Sequence, residues 1–543
     1  MLAIIAFLPI LATLILMTVF NWSAKRCLII SWTLACVFGA VFWDIDIKAI
    51  FASSLFGLLG SFDVLIIIFG AILVMNTLKL SGATASINRG FMKISSDKRV
   101  LSCIIGFSFC SFIEAAAGFG TPAALAGPLL VTLGFPPLAA AFVSLVFDST
   151  AVSFGAVGTP VTAALNALGL TENDTFIKGF SFWTALPHAI ISTFLPLIVL
   201  LMLTRIFGEE RSFKPAFKAL PFAIFTGLSF SVPMFLIALF IGYEFASLIA
   251  SLISIGVTVI AAKNGFLVPN EAWDFGKKDK WHRDWLQTSK VTPQKDSGMS
   301  ILKAWVPYLL IALILVITRV PGFGIKGILT GSTPFVIKIN NILGFENLDL
   351  NLKWAYLPGT IFLVVSLITN LFYKMDKGMI KTSWHDTVKQ VSGAAVALIF
   401  GLALVEVLKF KNIQNISMLD EMANALSGVG KNIYILISPF IGVLGAFVSG
   451  SATVSMNLFT NLQYNTANVL GIPEVFAVSM QCVGAAIGNM VCINNAVSAS
   501  ATIGTVGREG KLIKMNVIPM LIYSLLTAVI FYVILSLGIK PDI

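Results

Sequence analysis

Two carboxyl-bearing residues stand where charge is rarely tolerated. Glu114 lies in Phe109-Cys-Ser-Phe-Ile-Glu-Ala-Ala-Ala-Gly118 and Asp148 in Phe147-Asp-Ser-Thr150, within a stretch that has no Lys or Arg between residues 100 and 177. An ionisable side chain in an apolar segment is costly to keep there and reads as functional. A desolvated Glu114 suits a proton carrier, and its structural alternative is a cap on a broken helix. Asp148 has three readings: proton carrier, cation ligand, or cap of the next half-helix. Gly118, Gly120 and Pro122 follow Glu114 closely and would break a helix there.

This neighbourhood is written twice. Glu114-Ala-Ala-Ala-Gly-Phe-Gly-Thr-Pro122 precedes Leu133-Gly-Phe-Pro136, Ala151-Val-Ser153 and Val157-Gly-Thr159. Later, Ser449-Gly-Ser-Ala-Thr-Val-Ser-Met-Asn457 precedes Leu470-Gly-Ile-Pro473, Ala496-Val-Ser498 and Ile503-Gly-Thr505, with no Lys or Arg between 432 and 507. Apolar segments interrupted by Gly and Pro at corresponding places in two halves point to a transporter's binding site. Half-helices that open at such breaks offer free N–H groups and a positive dipole end, which hold an anion without Arg or Lys. The candidate substrate ligands are Gly118, Gly120, Thr121 and Ser153 in the first region. In the second they are Ser451, Thr453, Ser455, Asn457, Asn489, Asn494 and Asn495. Any one small residue could instead serve tight helix packing, but packing does not require the same order twice.

These residues must be positioned by membrane-spanning elements. The chain has 543 residues, 57% hydrophobic and 11% charged, with a mean hydropathy of +0.93; soluble domains carry about 25% charged residues. Apolar runs near 2–20, 27–43, 63–80, 184–204, 218–241, 243–262, 302–320, 354–373, 386–409 and 515–537 are each close to span length. Period-2 alternation is absent, so a membrane barrel is not expected. The expectation is an all-α polytopic membrane protein of about 12–14 transmembrane helices, with two inverted repeats carrying re-entrant or broken helices. An N-terminal half (1–262, special region 100–170) and a C-terminal half (302–543, special region 432–507) flank a polar linker, 263–301. The run at 2–20 reads as a first span, not a removable signal.

Charge placement orients the chain. Of 36 Lys and Arg, 26 fall in alternate loops, which the positive-inside tendency assigns to the cytoplasm. The linker is then cytoplasmic and both termini are extracytoplasmic. The first special region starts inside at Arg99, and the second starts outside at Lys431 and ends inside at Arg508. The two related texts therefore cross in opposite senses. The net charge of +10 is accounted for by these loops, not by nucleic acid. The six cysteines form no CxxC pair, so no metal site or disulfide framework is implied. No phosphate loop, dinucleotide fingerprint or nucleophile–base set appears, so neither an enzyme nor a cofactor is expected. His188, after Pro187, reads as a structural residue at a span end. Glu406 beside Lys409 reads as an interfacial ion pair.

At these residues the chain resembles the L-lactate permease (LctP) family. The resemblance rests on Glu114–Pro122, Ser153-Phe-Gly-Ala-Val-Gly-Thr-Pro160, Ser449–Phe459, Gly488-Asn-Met490 and Ala501-Thr-Ile-Gly504 before Arg508, and runs across nearly the whole chain. It implies a bacterial inner-membrane symporter of protons with L-lactate, and D-lactate or glycolate as well. Wider relatives imply elevator-type movement, for which a homodimer is the expected assembly by analogy. Three positions depart from the family pattern. Ala452 stands where Asp is frequent, Asp148 where Asn is, and Asn489 where Lys is. The proton-coupling candidates are thus Glu114 and Asp148. The alternatives are a sodium-coupled carrier of another small organic anion, a channel, and a membrane-embedded enzyme or sensor.

Overall fold

The apolar runs fold as helices, because a backbone without water to bond must satisfy itself internally. The computed structural model describes residues 2–18, 20, 22, 24–92, 94–116, 118, 121–287, 298–319, 324–331, 333–346, 348–412, 415–505 and 507–541. Among these, seven helices are long and apolar enough to cross a membrane, or eight if one bent pair counts as a single span. Five shorter apolar helices accompany them. The chain is an all-α membrane protein, with one local exception among the described residues. Ile337–Ile339 pairs antiparallel with Leu350–Leu352, with Ile337 opposite Leu352. This hairpin lies in a polar stretch between apolar runs, too short of periodic apolar residues to continue a helix.

The helices fall into two compact units, each drawing on both ends of the sequence. One comprises residues 1–84, 295–434 and 457–474. Within it, Ile47–Leu80 packs along Lys377–Lys409, and a Cβ at Gly57 would stand 2.7 Å from the Ala403 backbone. Asn76 Nδ2 donates to Thr387 Oγ1 across the same helix pair at 2.9 Å. The Glu406–Lys409 ion pair forms here, at 3.2 Å.

The other unit comprises 85–294, 435–456 and 475–543. Its elements are named in chain order: α1 (Lys98–Ala116), α2 (Thr121–Thr132), α3 (Pro137–Val152), α4 (Gly155–Leu168) and α5 (Asp174–Phe207). The second half supplies α6 (Lys431–Ser449), α7 (Ala452–Leu470), α8 (Glu474–Gly488), α9 (Ile493–Ile503) and α10 (Glu509–Ser536). The ends of α6 and α7 outside the ranges above belong to the first unit. Helix α1 is buried from Arg99 to Ala116. Its middle, Ser102–Phe109, is wound as a π-helix and leads directly into the turn that carries Glu114. Such wide turns recur at functional sites.

The polar stretch 264–287 is fastened to this unit. Arg99 is buried and forks onto both oxygens of Asp97, at 3.0 and 2.6 Å, while donating to the carbonyls of Pro215 and Glu271 at 2.6 and 2.7 Å. Phe275 stacks edge-on against Phe135 and Trp273. At the far end, Asp284 pairs with Arg508 and Lys511, and Gln287 Nε2 donates to the Ile503 carbonyl at 3.1 Å. The hydrogen bond from Lys511 chiefly, with Arg508 second among the favourable partners, holds the Asp284 carboxyl below its usual range.

Candidate functional site

The first half makes its site from a helix end and a helix break. Helix α1 ends at Ala116, and Gly118 follows in a left-handed conformation (φ 62°), its N–H bonded to the Glu114 carbonyl at 2.9 Å. Helices α3 and α4 meet at 51°. The turn between them passes through Ala156 (φ 43°), Val157 (φ 58°) and Gly158 (φ 73°). Two of these carry side chains that disfavour such dihedrals, a strain of about 1–3 kcal/mol per residue that the surroundings must hold in place. Thr159 Oγ1 donates to the Ala156 carbonyl at 2.5 Å, and Ser247 Oγ to the Ala151 carbonyl at 3.1 Å. Gly155 is required for close approach: a Cβ there would lie 2.6 Å from Glu114 Oε1.

The second half repeats the arrangement with different chemistry. Gly450, left-handed at φ 81°, separates α6 from α7, and Asn494 packs where its Cβ would be. Ser449 Oγ donates to the Ser451 carbonyl at 3.0 Å, and Ser451 Oγ caps the first turn of α7 through the Val454 N–H. Asn489 follows the last residue of α8, and Asn516 of α10 steadies the turn after it by donating to the Met490 carbonyl at 2.5 Å.

These two constructions face one cavity. Glu114, Gly118, Val152, Gly155, Ala156 and Pro160 line it from the first half. Gly450, Ser451, Ala452, Thr453, Asn489 and Asn495 line it from the second. No Lys or Arg is among them. About 20 Å³ of the cavity admits the centre of a water molecule, room for about one water. The first turn of α7, whose leading N–H groups lack partners inside the helix, is part of the wall. Asn489 Oδ1 is buried without a hydrogen-bond partner. So is Glu114 Oε2, and so are both oxygens of Asp148, a fully buried residue whose carboxyl interacts with that of Glu114.

The predicted ligands thus separate. Glu114, Gly118, Ser451, Thr453, Asn489 and Asn495 come together, although about 380 positions of sequence separate the extremes. Asp148 lies behind Glu114, outside the wall. Ser455 is occupied internally, donating to the Gly442 carbonyl at 2.9 Å and accepting from Gln481 Nε2 at 3.1 Å. Asn494 is exposed and Asn457 half-buried; neither lines the cavity. Gly120 and the Thr121 side chain lie outside the described residues. Ser153 bonds His188 instead of facing the cavity. His188 itself sits inside α5, fully buried, and not at a span end. It and Asn516 are the polar residues that sequence reasoning passed over. Their only signal was a polar side chain within an apolar run.

The duplicated text also lands unevenly. Leu-Gly-X-Pro precedes α3 and α8 alike, and each is followed by a break and a second half-helix. Ala151-Val-Ser153 ends the first half-helix, whereas Ala496-Val-Ser498 lies within the second. Gly118 and Gly134 stand 16 positions apart but Gly450 and Gly471 stand 21 apart, for a plain reason. Helix α7 is seven residues longer than α2, about two turns, while the break preceding it is two residues shorter.

Comparison with known proteins follows the same outline. The family model described as L-lactate permease matches residues 2–538. A Haemophilus influenzae protein is 31% identical over 97% of this chain and 97% of its own. The L-lactate permease of Salmonella typhimurium is 29% identical and that of Escherichia coli K12 28%, each over 97% of this chain and 95% of the relative. Among solved structures, the Alcanivorax borkumensis YdaH transporter aligns over 90% of this chain and 89% of its own, at a TM-score of 0.42 and 13% identity.

Proposed function

The chain belongs to the L-lactate permease family, and from that premise we propose that it takes up L-lactate, with D-lactate or glycolate as further substrates, in symport with protons. The observation that carries this reading is the pairing of one buried carboxyl, Glu114, with a neutral wall of helix N-terminus, hydroxyls and amides in a cavity without a basic residue. The substrate carboxylate would sit at the first turn of α7, where the dipole and free N–H groups favour an anion. Its 2-hydroxyl would donate to Asn489 Oδ1, a buried acceptor with no partner of its own. An ionised Glu114 and a substrate carboxylate repel strongly in so small a space. Binding the anion therefore draws a proton onto Glu114, and the pair moves without net charge. Asp148 shares that proton from behind.

The remaining features are read with this function. The five shorter apolar helices bring the spans towards the expected 12–14. The halves 1–262 and 302–543, joined by a cytoplasmic 263–301, form inverted repeats, supported by the break that follows each Leu-Gly-X-Pro helix. The protein lies in the bacterial inner membrane with both termini outside and works as an elevator-type carrier, as a homodimer.

The deciding experiment is uptake of labelled L-lactate by proteoliposomes under an inside-alkaline pH gradient without sodium. Accumulation that collapses with an uncoupler is expected. Accumulation only under a sodium gradient would replace the proton by sodium, and silence under both would remove lactate.

A further inference from the structure

Behind the cavity wall, four groups form a closed chain of hydrogen bonds. Tyr523 of α10 meets His188 Nδ1 at 2.6 Å; His188 Nε2 meets Ser153 Oγ at 2.8 Å; Ser153 Oγ reaches the Cys482 carbonyl of α8 at 3.2 Å. Tyr523, His188, Ser153 and Cys482 are all fully buried. The direction of this chain is fixed at one end, because a carbonyl only accepts. Ser153 must then donate to Cys482, leaving its oxygen to accept from Nε2–H. Nδ1 is consequently the acceptor for the Tyr523 hydroxyl. Every donor has one acceptor, and the imidazole is held as a single tautomer.

The chain ends at a sensitive place. Ser153 caps α3 at the bend. Two residues on is Gly155, whose backbone abuts the Glu114 carboxyl, and then the left-handed Ala156 and Val157. The geometry points to His188 as a positioning residue. As the Nε2–H tautomer, fixed by Tyr523, it anchors Ser153 and so holds the α3–α4 break against Glu114. Three other helices, α5, α8 and α10, thereby brace the strained turn. A mere packing role would need the ring's bulk but not its orientation.

Two measurements test this without any substrate. The chain has three histidines, so the protein labelled with ¹⁵N-histidine and replaced at His282 and His385 reports on His188 alone. Nε2 protonated and Nδ1 bare is expected, with the Nδ1 signal moving in Tyr523→Phe; the opposite tautomer overturns the inference. Modification of Glu114 by dicyclohexylcarbodiimide, followed by mass spectrometry, is expected to change about fivefold in Tyr523→Phe and Ser153→Ala, the worth of one buried hydrogen bond. Equal rates overturn it. The uptake arm rests on the lactate reading. There His188→Phe lowers the maximal rate more than tenfold and His188→Gln, which keeps a donor towards Ser153, about threefold, with KM nearly unchanged. Equal losses in both variants would mean that bulk alone matters. Should wild type fail to move lactate, that reading falls, while the tautomer and labelling results still decide this one.

Discussion

The two breaks that enclose the cavity share a plan and differ in chemistry. The first-half break carries the acids, with Glu114 in the wall and Asp148 behind it, and holds a turn strained at Ala156 and Val157. The second-half break carries only neutral groups: Ser451, Thr453, Asn489, Asn495 and the start of α7. The two breaks follow similar sequence and differ in the groups they bring to the wall. The proposed division gives the proton to the first and the anion to the second. The same asymmetry holds at the charged ends. Arg99, ahead of the first region, is buried in a forked pair with Asp97, whereas Arg508 and Lys511, after the second, share Asp284 nearer the surface.

Exchanging single groups tests that division. Glu114→Gln is expected to abolish accumulation driven by a pH gradient while leaving lactate exchange, read in proteoliposomes; retained accumulation would move the proton elsewhere. Arg99→Ala leaves Asp97 buried and unpaired, a loss of about 3–5 kcal/mol, visible as a large fall in melting temperature or as failure to accumulate in the membrane. Asn489→Ala removes a proposed binding group but no acid, so KM for lactate should rise about tenfold, with coupling to protons intact. A coupling defect there would erase the distinction between the breaks. The smallest effect concerns Asp284. Its carboxyl is held low in the folded protein, so its ion pairs stabilise above the pKa of an unfolded Asp, about 3.9, and that contribution is lost as pH falls through the lower folded value. The melting temperature of wild type should slightly exceed that of Asp284→Asn near neutrality, and the gap should close in acid. A gap independent of pH would mean that packing, not charge, fastens 264–287.

Much of this site was legible in the chain, for reasons that particular residues illustrate. Glu114, Gly118, Ser451 and Thr453 could be singled out, and all four line one cavity, because a charge in an apolar run and a Gly-Ser-rich break each have few structural excuses. Ser153 and Ser455 were misdirected because residue type does not tell which way a helical side chain points; each step along a helix turns it by about 100°. Ser153 instead turns to His188 and the Cys482 carbonyl. His188 was lost to Pro187, read as the start of a span. Helix α5 instead begins at Asp174 and runs through Pro187 and Pro196, which neighbouring helices in a membrane protein can accommodate. The Ala-Val-Ser duplication carried less than the Leu-Gly-X-Pro one, because Pro fixes where a helix begins and three small residues fix nothing.

The narrowness of the cavity bears on how little such a carrier wastes. A proton crosses water by hopping along a connected file of molecules, and a space with room for about one offers no file. In the conformation seen, the space beside Glu114 and the first turn of α7 has room for about one water. Under the proposed proton coupling, that tightness at rest would limit leak through the empty carrier.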